Sequence, residues 1–333
     1  HYVLCLSEAK GMNIIMKKRN HYFKRVYWLF ACGFILIGCS NHYSTEVKMK
    51  ELEMVAATEE FVKNMTVKES ETERKLERKP KTVEIDWSEY FDGLNGTAVI
   101  YDAPARQYTL YNRDLALTRS SPCSTFKIIS SLVALENEIL EPTDSTRTWS
   151  GEVFWNEDWN KDIDFSEAFR TSCVWYYRQI VDDIGKDMMQ KELNKLQYGN
   201  CDISDWEGRL NTNNQNRALT GFWIESSLMI SPKEQVEVME RIFGDHSDYS
   251  EESQKELKQV MLASKQEETG ISIYGKTGMG KTDGIVVDAW FTGFAESPEG
   301  NLYFCVRLGR TDNKNVSSAV AKEIAIQIVT DYY

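Results

Sequence analysis

The sequence predicts an α+β domain: an antiparallel sheet formed by both chain ends, with an all-helical region inserted between them. Two observations lead there. Strand-like runs cluster early, at residues 97–101 and 107–111, and late, at 271–275, 289–295 and 302–308. The long middle, from Ser124 to about Ser264, is mostly helical in its pattern, and residues 315–332 return to helical periodicity. Strands at the two ends with helices between them imply one sheet closed from remote stretches of chain.

Taken in order, the chain begins with a processing signal. Lys17, Lys18, Arg19, Lys24 and Arg25 precede an apolar run over residues 26–37 that ends Leu36-Ile37-Gly38-Cys39. A basic region followed by a short apolar stretch reads as a secretory signal, and the run is short for a membrane span. Its ending resembles the lipobox of bacterial lipoproteins, in which the cysteine becomes the acylated first residue. Residues 1–39 are therefore expected to be upstream residues and a signal peptide, with Met16 as start and Cys39 lipidated. The domain is expected to be extracytoplasmic, anchored to the cell membrane by that lipid. Residues 40–82, dense in Glu, Lys, Arg and Thr, read as a charged stalk. Residues 83–333 are the expected folded domain.

Within it, residues 97–101 and 107–111 flank a Pro-containing turn and predict a β-hairpin. Ser297-Pro298-Glu299-Gly300-Asn301 supplies a turn between the last two strands. The 333 residues carry a net charge of -12, which argues against nucleic acid as a partner. Of seven cysteines, Cys5 and Cys32 fall in the signal region. Cys123, Cys173, Cys201 and Cys305 show no Cys-x-x-Cys spacing, so buried free thiols are expected and a metal site is not.

The chemistry starts at Ser124-Thr125-Phe126-Lys127, which opens a nearly continuous apolar run to Leu140, with Pro122 just before it. So little polar face predicts a buried helix. A serine in its first turn meets the positive end of the helix dipole. A lysine three residues on lies on the same face, within reach of the hydroxyl. By itself this pattern leaves open a helix-capping serine and an unrelated lysine. Ser172-Cys173-Val174 follows in a helical stretch, and Lys276-Thr277-Gly278 ends a predicted strand. His246 is the one histidine of residues 83–333, so a Ser-His-Asp triad is nearly excluded and a lysine must act as base.

Ser-x-x-Lys, a second Ser, then Lys-Thr-Gly is the motif order of penicillin-recognising serine enzymes. With Tyr198-Gly199-Asn200, Phe222-Trp223-Ile224-Glu225-Ser226-Ser227-Leu228 and Trp290-Phe291-Thr292-Gly293, the chain from about Ile85 resembles class D β-lactamases. It also resembles the antibiotic-sensing domains of membrane-bound penicillin receptors. The resemblance implies the β-lactamase/transpeptidase-like fold and β-lactam small molecules as ligands. It implies Ser124 as nucleophile and Lys127, carboxylated to N6-carboxylysine by carbon dioxide or bicarbonate, as general base; no other cofactor is implied. Ser172 would relay a proton to the leaving nitrogen, with Lys276 supplying positive potential. The oxyanion would sit between the backbone N–H groups of Ser124 and Met279, following Gly278, while Thr277 helps hold the substrate carboxylate. Trp223 would donate to the carbamate, and Val174 and Ile224 would gate the lysine, a role compatible with plain core packing.

Many class D enzymes add an arginine near the start of the last helix. Ala321-Lys322 stands there in this chain, with Arg307 and Arg310 nearby. Glu225-Ser226-Ser227-Leu228-Met229 brushes the Glu-x-x-Leu-Asn of class A enzymes but lacks the Asn, so Glu225 is not assigned as a base. Substrate preference is expected to depend on loops around Trp155, Trp175 and Met279. Hydrolysis is the leading expectation. The alternatives are a β-lactam sensor or a penicillin-binding protein that is acylated but deacylates slowly. A receptor of that kind usually carries a metalloprotease motif, and the 333 residues hold no His-Glu-x-x-His.

Overall fold

The computed structural model describes residues 79–209, 216–282 and 284–333. The signal region, Cys39 and residues 40–78 of the expected stalk lie outside the described residues. One compact unit runs from Pro80 to Tyr333. Its first part holds β1 (Lys81–Glu84), α1 (Ser88–Phe91), β2 (Gly96–Asp102), β3 (Gln107–Tyr111) and α2 (Arg113–Leu117). A 3-10 turn over Cys123–Phe126 then feeds α3 (Lys127–Glu136). The helical region continues as α4 (Phe165–Arg170), α5 (Val174–Ile184), α6 (Lys186–Leu196), α7 (Pro232–Phe243) and α8 (Glu251–Met261). The chain returns to the sheet as β4 (Leu262–Lys265), β5 (Ser272–Thr282), β6 (Ile285–Ser297) and β7 (Gly300–Gly309), and ends in α9 (Ser318–Tyr332).

The expected architecture is present: the seven strands form one sheet in the order β1-β3-β2-β7-β6-β5-β4. The closure comes from β2 against β7, where Gly96 faces Leu308 and Asp102 faces Leu302. The sheet is mixed rather than purely antiparallel, because β1 runs parallel to β3 at one edge. A four-residue edge strand with Val83 as its one apolar residue offers no alternation to read, hence its absence from the sequence reading. At the other edge β4 takes residues 262–265, which the helical expectation had included. The helical region itself ends at Met261.

Both faces of the sheet are covered. On one, α9 packs Ile324, Ala325, Ile328 and Val329 against Ile100, Phe291 and Phe304. On the other, α3 and α7 form the larger core with Phe126, Leu132, Val236 and Met239. Central β6 is accordingly buried without a break from Asp288 to Ala295, the pattern of a strand covered twice. Helix α3 is buried from Lys127 through Ala134, as its apolar run requires. Helix α7 starts on a capping box, Ser231 with Glu234, and has Pro232 in its first turn. Among the described residues, no helix is long and apolar enough to cross a membrane.

Candidate active site

The segment entering α3 is held from two sides. Ser120 forms an antiparallel bridge with Ile230. On the sheet side, Arg307 donates to the Thr118 carbonyl at 2.9 Å and pairs with Asp288, which also accepts from the Ser120 hydroxyl. Ser121 Oγ donates to the Trp223 carbonyl at 3.0 Å, and the Cys123 N–H donates to the same oxygen at 2.9 Å. These ties keep Cys123 at φ 48°, a strained conformation for a side-chain-bearing residue. The half-buried Ser124 is thereby delivered to the floor of a cleft of about 210 Å³.

Lys127 Nζ donates to Ser124 Oγ at 2.9 Å. The side chain is 1 % exposed, with the Tyr177 ring centroid 5.2 Å from the amine. Burial disfavours the ammonium and lowers its pKa to about 8. The three-residue spacing thus places on the hydroxyl an amine that burial makes easier to deprotonate.

Ser172 is not inside a helix, contrary to expectation. It sits in the turn from α4 to α5 at φ 59°, because Cys173 N–H bonds back to the Ala168 carbonyl and closes the first helix. From that turn Ser172 Oγ accepts from Lys276 Nζ at 3.0 Å. Lys276 also donates to the Thr277 carbonyl at 3.2 Å. Its pKa is held well below the usual lysine range, first by burial and then by the Lys127 charge.

Lys276-Thr277-Gly278 lies in the middle of β5, not at its end. The strand passes so close to the serine turn that a Cβ on Gly278 would lie 2.9 Å from the Pro122 carbonyl and 2.9 Å from Thr125 Cγ2. Met279 follows, 40 % exposed, at the cleft. Ser124, Val174, Ile224 and Met279 line the cleft together; Lys127, Lys276 and Trp223 are buried behind it. Trp223 is stacked on Phe126 at 5.8 Å. Tyr198-Gly199-Asn200 works as a tie: Asn200 accepts from Met229 N–H at 3.0 Å and donates to the Ser227 carbonyl at 2.8 Å.

The cationic residues near the last helix, and Trp175, stand outside the cleft lining. Arg307 is 7 % exposed and engaged with Asp288 beneath the serine segment. Arg310 pairs with Asp312, and Lys322 lies 6.0 Å from the Phe291 ring on the α9 side of the sheet. Trp175 is buried, donating to the Trp159 carbonyl at 2.9 Å, so it does not shape the cleft mouth; Trp155, 78 % exposed, does. Cys123, Cys173 and Cys305 are buried free thiols, whereas Cys201 is half-buried. Trp159, Leu219 and Lys281 also line the cleft and were missed, since no motif marks them. Among the described residues, no group of three or more His, Cys, Asp or Glu is arranged for a metal ion.

An amine on a serine hydroxyl that lines an open cleft, with a second lysine–serine pair on the adjoining strand, suits acyl transfer. Comparison with known proteins agrees. Residues 95–330 match the family described as penicillin binding protein transpeptidase domain. The regulatory protein BlaR1 of Bacillus licheniformis is 30 % identical over 246 residues, which are 73 % of this chain but 38 % of that protein. The chain thus spans well under half of that relative. The probable β-lactamase YbxI of Bacillus subtilis is 32 % identical over 243 residues, 73 % of this chain and 82 % of YbxI. A class D β-lactamase structure from Bacillus subtilis superposes with a TM-score of 0.64 at 30 % identity, covering 74 % of this chain and 95 % of that one. The chain belongs to the penicillin-binding protein transpeptidase domain family, with class D β-lactamases and BlaR1-type regulatory proteins among its relatives.

Proposed function

We propose that this chain hydrolyses β-lactam antibiotics through an acyl-enzyme on Ser124. The observation that carries the reading is Lys127 Nζ at 2.9 Å from Ser124 Oγ, on an amine that burial brings to about 8. About one lysine in ten is then neutral at pH 7, and it can take the serine proton as Oγ attacks the lactam carbonyl. The Ser124 and Met279 N–H groups would hold the oxyanion. Ser172, hydrogen-bonded to Lys276, would pass a proton to the leaving nitrogen, and Thr277 would meet the substrate carboxylate.

The Lys127 site suits carboxylation: carbon dioxide adds to neutral amines, and burial supplies one. N6-carboxylysine would provide an oxygen base for both acylation and the deacylating water. Trp223 is buried against Phe126 in the same wall of the site, with Val174 and Ile224 at the cleft. Bicarbonate is then expected to restore activity lost after acid treatment; indifference to it would count against the modification.

The match to BlaR1 supports a second reading, a receptor domain that is acylated and stays so. The two share every step up to the acyl-enzyme. A time course of the purified protein on a chromogenic cephalosporin, with bicarbonate present, separates them. Sustained turnover is expected; a single stoichiometric burst with a long-lived adduct on Ser124 would overturn hydrolysis in favour of a receptor or a penicillin-binding protein. The proposal also places the domain outside the cytoplasmic membrane, tethered through lipid on Cys39. Metabolic labelling with a fatty acid, lost in Cys39→Ala, would test that.

A further inference from the structure

We infer that Glu225 is a positioning residue that sets the oxyanion strand against the nucleophile. The inference rests on the acyl-enzyme reading above, and in particular on Met279 N–H as an oxyanion donor. No motif role was assigned to Glu225, yet three parts of the site converge on it. Its Oε1 accepts from the Lys281 N–H at 2.6 Å. Its own N–H donates to Ser121 Oγ at 2.9 Å, and that hydroxyl in turn donates to the Trp223 carbonyl. The Cys123 N–H meets the same carbonyl. One residue therefore ties the turn before Ser124 to the strand just past Met279.

The point of attachment on the strand needs a tie. The pairing of β5 with β6 slips between Gly280 and Lys281, so the ladder there is interrupted, as at any β-bulge. Lys281 pairs with Val286 only beyond that slip, so its bond to Glu225 adds a second restraint two positions past Met279. Close approach supports this: a Cβ on Gly280 would lie 3.2 Å from Cys123 Sγ and 3.9 Å from Glu225 Oε1. Glu225 itself is held at φ 51°, a cost a side-chain-bearing residue bears where its surroundings enforce it. Half-buried and at the cleft wall, it acts on the reaction through the strand rather than by touching the scissile bond.

The test separates the hydrogen bond from the charge. E225D keeps the carboxylate and tolerates positive φ well, but withdraws the oxygen by one methylene. E225Q removes the charge and keeps an oxygen acceptor. The acylation rate with benzylpenicillin and the affinity for phenylboronic acid, whose tetrahedral adduct fills the oxyanion pocket, are measured in both. E225D is expected to lose roughly ten- to hundredfold in acylation rate, with a parallel loss of boronate affinity and little change in KM or melting temperature. E225Q is expected to recover most of that loss. E225D with wild-type acylation and boronate affinity would overturn the inference, as would E225Q failing as badly as E225D. A wild-type protein that neither acylates nor binds the boronate would overturn the acyl-enzyme reading itself, and this inference with it.

Discussion

Replacing Lys127 by methionine should make the protein more stable while removing its activity. An unfolded lysine keeps its proton up to about 10.5, whereas burial brings this one to about 8. Between those values the unfolded state holds more protons, so stability rises with pH across that window. Below pH 8 the buried ammonium costs the fold its full penalty. At about 1.4 kcal/mol per pH unit, that penalty is roughly 3 kcal/mol. Methionine is close in length, apolar and flexible, and the site around it already holds the rings of Phe126 and Tyr177. For a domain of this size, 1 kcal/mol shifts the melting temperature by about 2–4 °C. Thermal unfolding followed by circular dichroism at pH 7, in bicarbonate-free buffer, should therefore put the variant some degrees above wild type. At pH 10.5 the two should converge, because the wild-type lysine is then neutral when folded. A variant less stable than wild type at pH 7, or a difference independent of pH, would refute the claim that the lysine is strained by its own charge.

Other perturbations read the remaining supports of the site. Asp288→Ala leaves Arg307 buried without its carboxylate and Ser120 without its acceptor; a loss of about 3–5 kcal/mol is expected in urea unfolding. Gly278→Ala drives a Cβ to 2.9 Å from the Pro122 carbonyl, so the serine turn must shift. Acylation by benzylpenicillin should fall at least tenfold by rough estimate, and unchanged acylation would show the contact to be slack. Ser124→Ala should show no penicilloyl mass increase while keeping the wild-type circular dichroism spectrum; an adduct persisting in it would place the nucleophile elsewhere.

The residues proposed to carry chemistry stand out in the sequence through the order of their motifs, Ser124-x-x-Lys127, Ser172 and Lys276-Thr277-Gly278. Lys127 opens a helix whose next seven residues are all buried, and Lys276 is a buried lysine in mid-strand. The sheet was readable where both faces are covered, as in β6 and β7, because continuous burial leaves continuous apolar runs. It was unreadable at its edges: β1 and β4 are short, and their residues face solvent enough to need no pattern. The second half of β5 was missed because Gly278 and Gly280 weaken strand propensity, although close packing against the serine turn demands them. The ties that aim Ser124 left no trace at all. Ser121 with Trp223, Glu225 with Lys281, and Asp288 with Arg307 join remote stretches, and such pairs have no period to detect.

The pairing of β2 with β7 also bears on when the fold can form. Gly96 must find Leu308, and the hairpin of β2 and β3 has no other route into the sheet than through that last strand. Contacts so distant along the chain make for slow folding. A ribosome or a secretion channel releases the N-terminal end first, so the early hairpin waits, unpaired on its inner edge, until almost the whole chain has emerged. The serine turn waits with it, since β5 and β6 are also late. The order of strands alone therefore puts closure of the sheet, and with it the assembly of the serine turn against β5, after β7 is available.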